Sequence, residues 1–309
     1  MNPTRRTGIL LALTTAAISG VSVFVNASGV KLFDSSTVYT TAKNVVAALV
    51  LLAVVGLGRG AGARLTRPAG TRQWVALVAV GLIGGALAFV LFFEGLSRAT
   101  SPQAAFIHKT LVLWVALLAL PLLHERLQWG HWLAIGLLVV GQVGLAGGLP
   151  SSFGTAGLLI LGATLLWAVE VVVAKWLLRG VSSWTVGVAR MGIGSLALLA
   201  WVGVRGQLGA LTSMTGEQLG MVLVTGVLLA GYVGTWFAAL TRAQAVDVTA
   251  VLVLAAPVTA ALSAVMKGTA LGPQAGWLVL VVAGGALAVW LGGRGAPLDR
   301  RATAAEDRG

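Results

Sequence analysis

Phe92-Phe93-Glu94-Gly95-Leu96-Ser97-Arg98-Ala99 and, 144 residues later, Trp236-Phe237-Ala238-Ala239-Leu240-Thr241-Arg242-Ala243 are two versions of one pattern. Each has an aromatic pair, small and apolar residues, a hydroxyl, an arginine and an alanine. Each closes an apolar segment, turns, and leads into the next. Two further matches fall in the same order: Gly8-Ile9-Leu10-Leu11 against Gly157-Leu158-Leu159-Ile160, and Thr41-Ala42-Lys43-Asn44 against Val188-Ala189-Arg190-Met191. The second half of the chain therefore repeats the first.

Outward from these stretches run ten apolar segments: Gly8–Ala27, Val38–Gly58, Trp74–Phe93, Ala104–Leu123, Trp129–Gly147, Gly157–Leu178, Trp184–Val204, Leu219–Leu240, Val248–Met266 and Gly276–Gly293. Each is close to the ~20 residues that a helix needs to cross a bilayer. Charged residues make up 10% of the chain, against about 25% in a soluble domain. The expected fold is an all-α integral membrane protein with ten transmembrane helices. The first repeat occupies 1–148 and the second 149–293, with a polar tail over 294–309. Five helices per repeat is an odd number, so the halves are expected to lie inverted in the bilayer, an arrangement known from secondary transporters. Glycines inside the spans, such as Gly81, Gly84 and Gly85, let helix backbones approach closely.

The formal charge of +12 would suggest nucleic acid in a soluble protein. Here it follows the membrane. With the N-terminus in the cytoplasm, the inner segments carry Arg5, Arg6, Arg59, Arg64, Arg67, Arg72, Arg126, Arg179, Arg242, Arg294, Arg300, Arg301 and Arg308. The outer loops carry only Lys31, Arg98, Arg205 and Lys267. The positive-inside rule then puts both termini in the cytoplasm of a cell-membrane protein and removes the case for nucleic acid. The first segment follows Arg5-Arg6 but is too long for a signal-peptide core, so it is expected to stay as a helix. The chain has no cysteine, which excludes disulfides, thiolate catalysis and cysteine-held zinc.

Charges within spans are costly and tend to face a cavity or a partner. Lys43 and Asn44 lie in the second span, His108 and Lys109 in the fourth, Glu170 and Lys175 in the sixth, and Arg190 in the seventh. Lys43 and Arg190 are repeat counterparts. Lys43, Asn44, Lys109 and Arg190 are the candidate anion-binding groups. Glu170 is a candidate proton-coupling carboxylate, or else the ion-pair partner of Arg190. His108, with an ordinary pKa near 6.5, is a second candidate proton carrier. Lys175, near a span end, is expected to snorkel. Glu94 either pairs with Arg98 at i, i+4 or neutralises Lys43. Asp247 is expected to favour a helix N-terminus. Trp167, Tyr232, Trp114, Trp236 and Phe237 are candidate aromatic lining, and Tyr39 sits towards the outer mouth. Cations outnumber anions at depth, which favours an anionic or zwitterionic substrate such as an amino acid or organic acid.

At the repeated stretches the chain resembles the drug/metabolite transporter superfamily in its EamA-like branch. The first copy carries Glu125-Arg126-Leu127 before the fifth helix but Leu113 where that branch has proline. The second carries Pro257 but Thr269 where the glutamate would align. The resemblance implies ten helices in two repeats and secondary transport of a small metabolite, often export, without a cofactor. Membrane lipid, the substrate and protons are the implied partners, and nothing in the residues specifies an oligomeric state.

Other classes fare less well. His124-Glu125 opens a zinc-protease pattern, but Gln128 stands where the second histidine belongs and His131 is off the required face. No nucleophile-elbow or nucleotide-binding loop is present. Export of cationic or lipophilic drugs and flipping of a lipid phosphate remain the alternative transport readings.

Overall fold

The computed structural model describes residues 3–58, 63–99, 101–148, 154–268 and 272–294. Arg59, Thr269, Arg300, Arg301 and Arg308, and the tail beyond Arg294, lie outside the described residues, as does the side chain of Lys267. Among the described residues every regular element is helical. Nine helices among the described residues are long and apolar enough to cross a membrane, and Trp129–Leu145 is a shorter apolar helix.

The helices are α1 (Pro3–Gly29), α2 (Ser36–Leu57), α3 (Thr71–Leu96), α4 (Ser101–Lys109 and Leu111–Leu123), α5 (Trp129–Leu145), α6 (Gly154–Leu177), α7 (Ser183–Val204), α8 (Gly216–Leu240), α9 (Ala245–Leu252 and Ala255–Lys267) and α10 (Ala275–Arg294). Their limits fall within a few residues of the apolar segments, because hydrocarbon leaves the backbone no partner but itself. Several ends are set by side-chain caps: Ser35 accepts from the Val38 N–H, Ser182 from Thr185, and Thr215 from Gln218. The largest extension is at α1, which begins at Pro3 and carries Arg5 into the buried interior.

Packing follows the repeat. α1 lies against α8 and α9, and its counterpart α6 lies against α3 and α4. α2 packs on α8 as α7 packs on α3. α2 meets α7, and α5 meets α10 along its length. The first helix of each half is thus lodged in the other half. The C-terminal end of α10 returns to the start of α1, where Gly292 lies close to both Ile9 and Asp247.

Three helices depart from regular α geometry. In α9 the break falls at Val253-Leu254, ahead of Pro257. Proline has no N–H, and the Val253 carbonyl accepts from Ala256 at 3.0 Å instead. In α4 the break falls at Thr110, 144 residues before Leu254. The two residues have almost the same backbone twist, with ψ of −7° and −9°. No proline stands nearby in the first copy. Instead the Thr110 hydroxyl donates to the Ile107 carbonyl at 2.6 Å and accepts from Trp114 Nε1 at 3.1 Å. In α3, Val80–Leu87 widens into π-helical turns, a feature often found at functional sites.

Candidate functional site: a charged aromatic cavity

The π-helical stretch of α3 carries Gly84 and Gly85 where α3 crosses α6 and α7. A Cβ on Gly85 would run into the Arg190 carbonyl of α7, and one on Gly84 would overlap the Glu170 carboxylate of α6. Two glycines therefore bring three helices together around one ion pair. Glu170 and Arg190 pair through Oε1 and Nε, and again through Oε2 and Nη2 at 3.2 Å. The Gly84 carbonyl accepts from Arg190 Nη2 at 3.2 Å and from Trp167 Nε1 at 3.1 Å.

This pair lies on the wall of a cavity of about 950 Å³, in the upper range for small-molecule sites. Lys43, His108, Lys109, Trp167, Glu170, Arg190 and Tyr232 all line it. The candidate residues thus come together from α2, α4, α6, α7 and α8. Asn44 does not. It is fully buried, and neither polar atom of its side chain has a hydrogen-bond partner among the described residues. Adjacent helical residues point about 100° apart, so a side chain next to Lys43 is turned away from the cavity that Lys43 faces.

Lys43 is only 4% exposed. Its Nζ donates to Asn26 Oδ1 at 2.9 Å and stands 4.3 Å from the Phe93 ring centre, 5.1 Å from Tyr39 and 5.9 Å from Phe89. Aromatic faces attract a cation without neutralising it. Asn26 is fixed in turn, accepting from the Tyr39 hydroxyl at 2.7 Å and donating to the Ser22 carbonyl at 2.7 Å. Phe89 lies between the two repeat-related cations, with Arg190 Cζ 5.4 Å from its centre. Among the described residues neither Lys43 nor Lys109 has a carboxylate within ion-pair distance. Glu94 pairs with Arg98 at the surface and leaves Lys43 alone.

His108 lies between Phe92 and Trp167, with ring centres 5.1 and 5.0 Å away. Its Nδ1 is buried and has no hydrogen-bond partner among the described residues. Tyr232 stacks on Trp236 at 5.9 Å, and Trp236 also lines the cavity. Trp114 and Phe237 do not line it; Phe237 belongs to the core and Trp114 is tied to Thr110. Sequence reasoning missed Ser19, Ser22 and Asn26, which line the cavity from α1. Their i, i+3, i+7 spacing in an otherwise apolar span is a one-face polar stripe that could have been read. It also missed Phe89 and Phe92. Phe92 opens the repeated stretch, and its counterpart Trp236 lines the cavity from the other half.

The mouth is formed by the α1–α2 and α7–α8 connections, including Lys31, Asp34, Arg205 and Gln207. The opposite end, where α1 begins, is shut by a buried polar layer. Arg5 of α1 pairs with Asp247 of α9 at 2.9 Å, and His131 Nε2 of α5 faces the other Asp247 oxygen at 3.2 Å. Asp247 therefore serves an ion pair rather than the α9 N-terminus. Glu125 caps that terminus, accepting from Ala245 N–H at 2.6 Å and Val246 N–H at 3.2 Å. His124 makes this possible by ending α4 in a left-handed conformation with φ of 56°. Lys175 does not snorkel. It turns inward and donates to the carbonyls of Leu240 at 2.5 Å and Ala243 at 2.6 Å, closing the C-terminus of α8. A C-terminal cation satisfies both the loose carbonyls and the helix dipole.

Two matches to one family model cover residues 6–147 and 154–291, nearly all of the chain; the model is that of the EamA-like transporter family. The chain belongs to the EamA-like transporter family. Members of this family are membrane transporters, and with its many spans this EamA protein is a multi-pass membrane protein. A solved structure described only as "Crystal structure of protein" is 21% identical, covers 91% of this chain and 97% of its own, and superposes with a TM-score of 0.74. At that identity the likeness shows the fold alone. No curated protein matches.

Proposed function

We propose that this EamA protein is a secondary transporter of a small anionic or zwitterionic metabolite, such as an amino acid or organic acid. Ten crossings in two inverted five-helix halves would let the cavity face one side of the membrane and then the other. The observation that carries the substrate class is the cavity's charge. Glu170 is matched by Arg190, whereas Lys43 and Lys109 face the same space with no carboxylate among the described residues within ion-pair distance. An incoming carboxylate or phosphate supplies what these cations lack. Lys43, Lys109 and Arg190 bind the negative group, His108 stands beside them, and Trp167 and Tyr232 pack the rest of the molecule. Glu170 is the coupling group: taking a proton releases Arg190 to the substrate.

The arginine-rich face is cytoplasmic. The open mouth then looks outward and the polar layer at Arg5 closes the inside. Direction follows the family's habit of export.

The test is thermal stability of the purified protein against a panel of metabolites, in parallel with Lys43→Ala. A ligand at a hundredfold excess over its dissociation constant stabilises the native state by ~2.7 kcal/mol. Stabilisation by one group of carboxylates or phosphates, lost in the variant, is the expected result. The aromatic walls favour a second reading, a lipophilic or cationic substrate. Stabilisation only by such compounds, unchanged in Lys43→Ala, would replace the first reading with the second.

A further inference from the structure

Lys43 and Arg190 are repeat counterparts, and each is met by a side chain from the first helix of its own half. In the second half that side chain is Glu170 of α6, a carboxylate. In the first half it is Asn26 of α1, an amide whose oxygen accepts from Lys43 Nζ at 2.9 Å. The same helix pair thus cancels one cation and leaves the other charged. A buried cation without a counter-ion is costly, so an amide in place of a carboxylate calls for a use.

Asn26 lies on the cavity wall, and its amide is held in one orientation. Oδ1 accepts from Lys43 Nζ and also from the Tyr39 hydroxyl at 2.7 Å. Nδ2 donates to the Ser22 carbonyl at 2.7 Å and to the Ser22 hydroxyl at 2.9 Å. An ammonium has only donors, so turning the amide over would set N–H against N–H. Both lone pairs of Oδ1 and both hydrogens of Nδ2 are in use. Asn26 therefore keeps nothing for the cargo itself and acts through Lys43. It takes one of the three N–H groups of the ammonium and leaves the charge whole.

We propose that Asn26 sets the charge preference of the cavity, by fixing the Lys43 ammonium with a neutral oxygen so that its charge is left for a carboxylate, phosphate or sulfonate of the cargo. This rests on the anionic-cargo reading above and names a positioning residue for it. Asn26→Asp changes the shape little, and its second oxygen can take the Ser22 hydroxyl. It would create a second internal ion pair like that of Glu170 and Arg190. Lys43 would then be matched within the protein, and Lys109 would remain as the cation with no carboxylate beside it. The helix that carries Asn26 packs on α8 and α9. The amide therefore also ties the cation of the first half to a helix seated in the other half.

The chain contains no cysteine, so Ser19→Cys, on the cavity wall, can carry a single reporter. Ser19 stands two helical turns before Asn26, about 10 Å along α1. The probes are two small methanethiosulfonates, one bearing a sulfonate and the other a trimethylammonium. The ratio of their rates at the reporter is divided by the ratio for a free thiol in solution. The result reads the sign of the field in the cavity and cancels the reagents' own reactivity. The parent should favour the sulfonate. Asn26→Asp and Lys43→Met each remove one positive charge at nearly the same point. Each should lower the ratio by the same factor, at least about fourfold for reagents that differ by two charges. Asn26→Ser keeps a neutral oxygen and should stay within about twofold of the parent, since no charge changes.

A second measurement needs no added carboxylate. A thiol placed by Asn26→Cys stands beside the ammonium and should show a higher ratio than Ser19→Cys. Three results would reduce Asn26 to a structural part: an equal fall in Asn26→Ser and Asn26→Asp, no fall in Asn26→Asp, or a ratio at Asn26→Cys below that at Ser19→Cys. If Lys43→Met still lowered the ratio, the anionic-cargo reading would stand without Asn26. A parent ratio no higher than that of the free thiol, or one that Lys43→Met leaves unchanged, would overturn the anionic-cargo reading itself and the proposal with it.

Discussion

Adding one methyl group at Gly84 should test whether the close crossing of α3 and α6 exists to seat the Glu170–Arg190 pair. A Cβ at Gly84 would overlap the Glu170 carboxyl group and come within 2.6 Å of its Cγ. Two responses are open. The helices move apart, at an overpacking cost of ~1–3 kcal/mol. Alternatively Glu170 is expelled and Arg190 stays buried without a counter-ion, at ~3–5 kcal/mol. In either case the neighbour that suffers is Glu170. Glu170→Ala alone should also cost ~3–5 kcal/mol, because it too strands Arg190. In that background, however, Gly84→Ala meets vacated space. Its cost should fall to about zero or below, because alanine gains ~0.5–1 kcal/mol over glycine inside a helix. The double-mutant cycle should therefore show a coupling of at least ~1 kcal/mol, above the ~0.5 kcal/mol expected of independent sites. Unfolding in mixed micelles titrated with SDS, followed by tryptophan fluorescence, gives the four free energies. Equal penalties for Gly84→Ala with and without Glu170 would refute the argument.

Lys175→Met should destabilise by ~1–3 kcal/mol per carbonyl left without a donor, since Leu240 and Ala243 both lose theirs; the same micelle titration reads it, and a change within error would mean water replaces the ammonium. Burial holds the Glu125 carboxyl above its ordinary 4.5, so the folded state keeps that proton when the unfolded state has released it. This contribution to stability falls as pH rises from about 4.5 to the folded value and is level beyond it. The stability of the unmodified protein relative to Glu125→Gln should therefore decline over that range, and a rise would contradict the assignment. Glu125→Ala should cost ~0.5–2 kcal/mol as a lost helix cap.

The helices were legible because lipid allows few alternatives to a self-satisfied backbone, and the apolar segments matched the helices to within a few residues. The grouping of Lys43, Lys109, Glu170 and Arg190 around one space was legible for a related reason, since a charge inside a span has few other places to point. The misreadings came from positions near span ends, where sequence leaves several options. Lys175 and Asp247 had equally good partners in water, at a helix end or in another helix, and only the tertiary packing, which sets the end of α8 beside Lys175 and Arg5 beside Asp247, selects among them. Asn44 follows Lys43 in the second span but does not line the cavity, because adjacent helical side chains diverge by about 100°. The break at Thr110 carried no proline to announce it, and Asn26 went unremarked in a span read for charges.

The breaks in α4 and α9 occupy matching places but have different origins. Pro257 removes a donor covalently, so no rearrangement of side chains can restore the missing rung in α9. Thr110 disturbs α4 through a hydroxyl bond that a single rotation about its Cα–Cβ bond would undo. One joint is permanent and the other conditional. The conditional one directly follows Lys109, so the proposed anionic substrate, drawing on that ammonium, would pull at the joint that can still change. On the proposed mechanism the two halves would divide the labour, with a fixed pivot in one and a responsive elbow in the other.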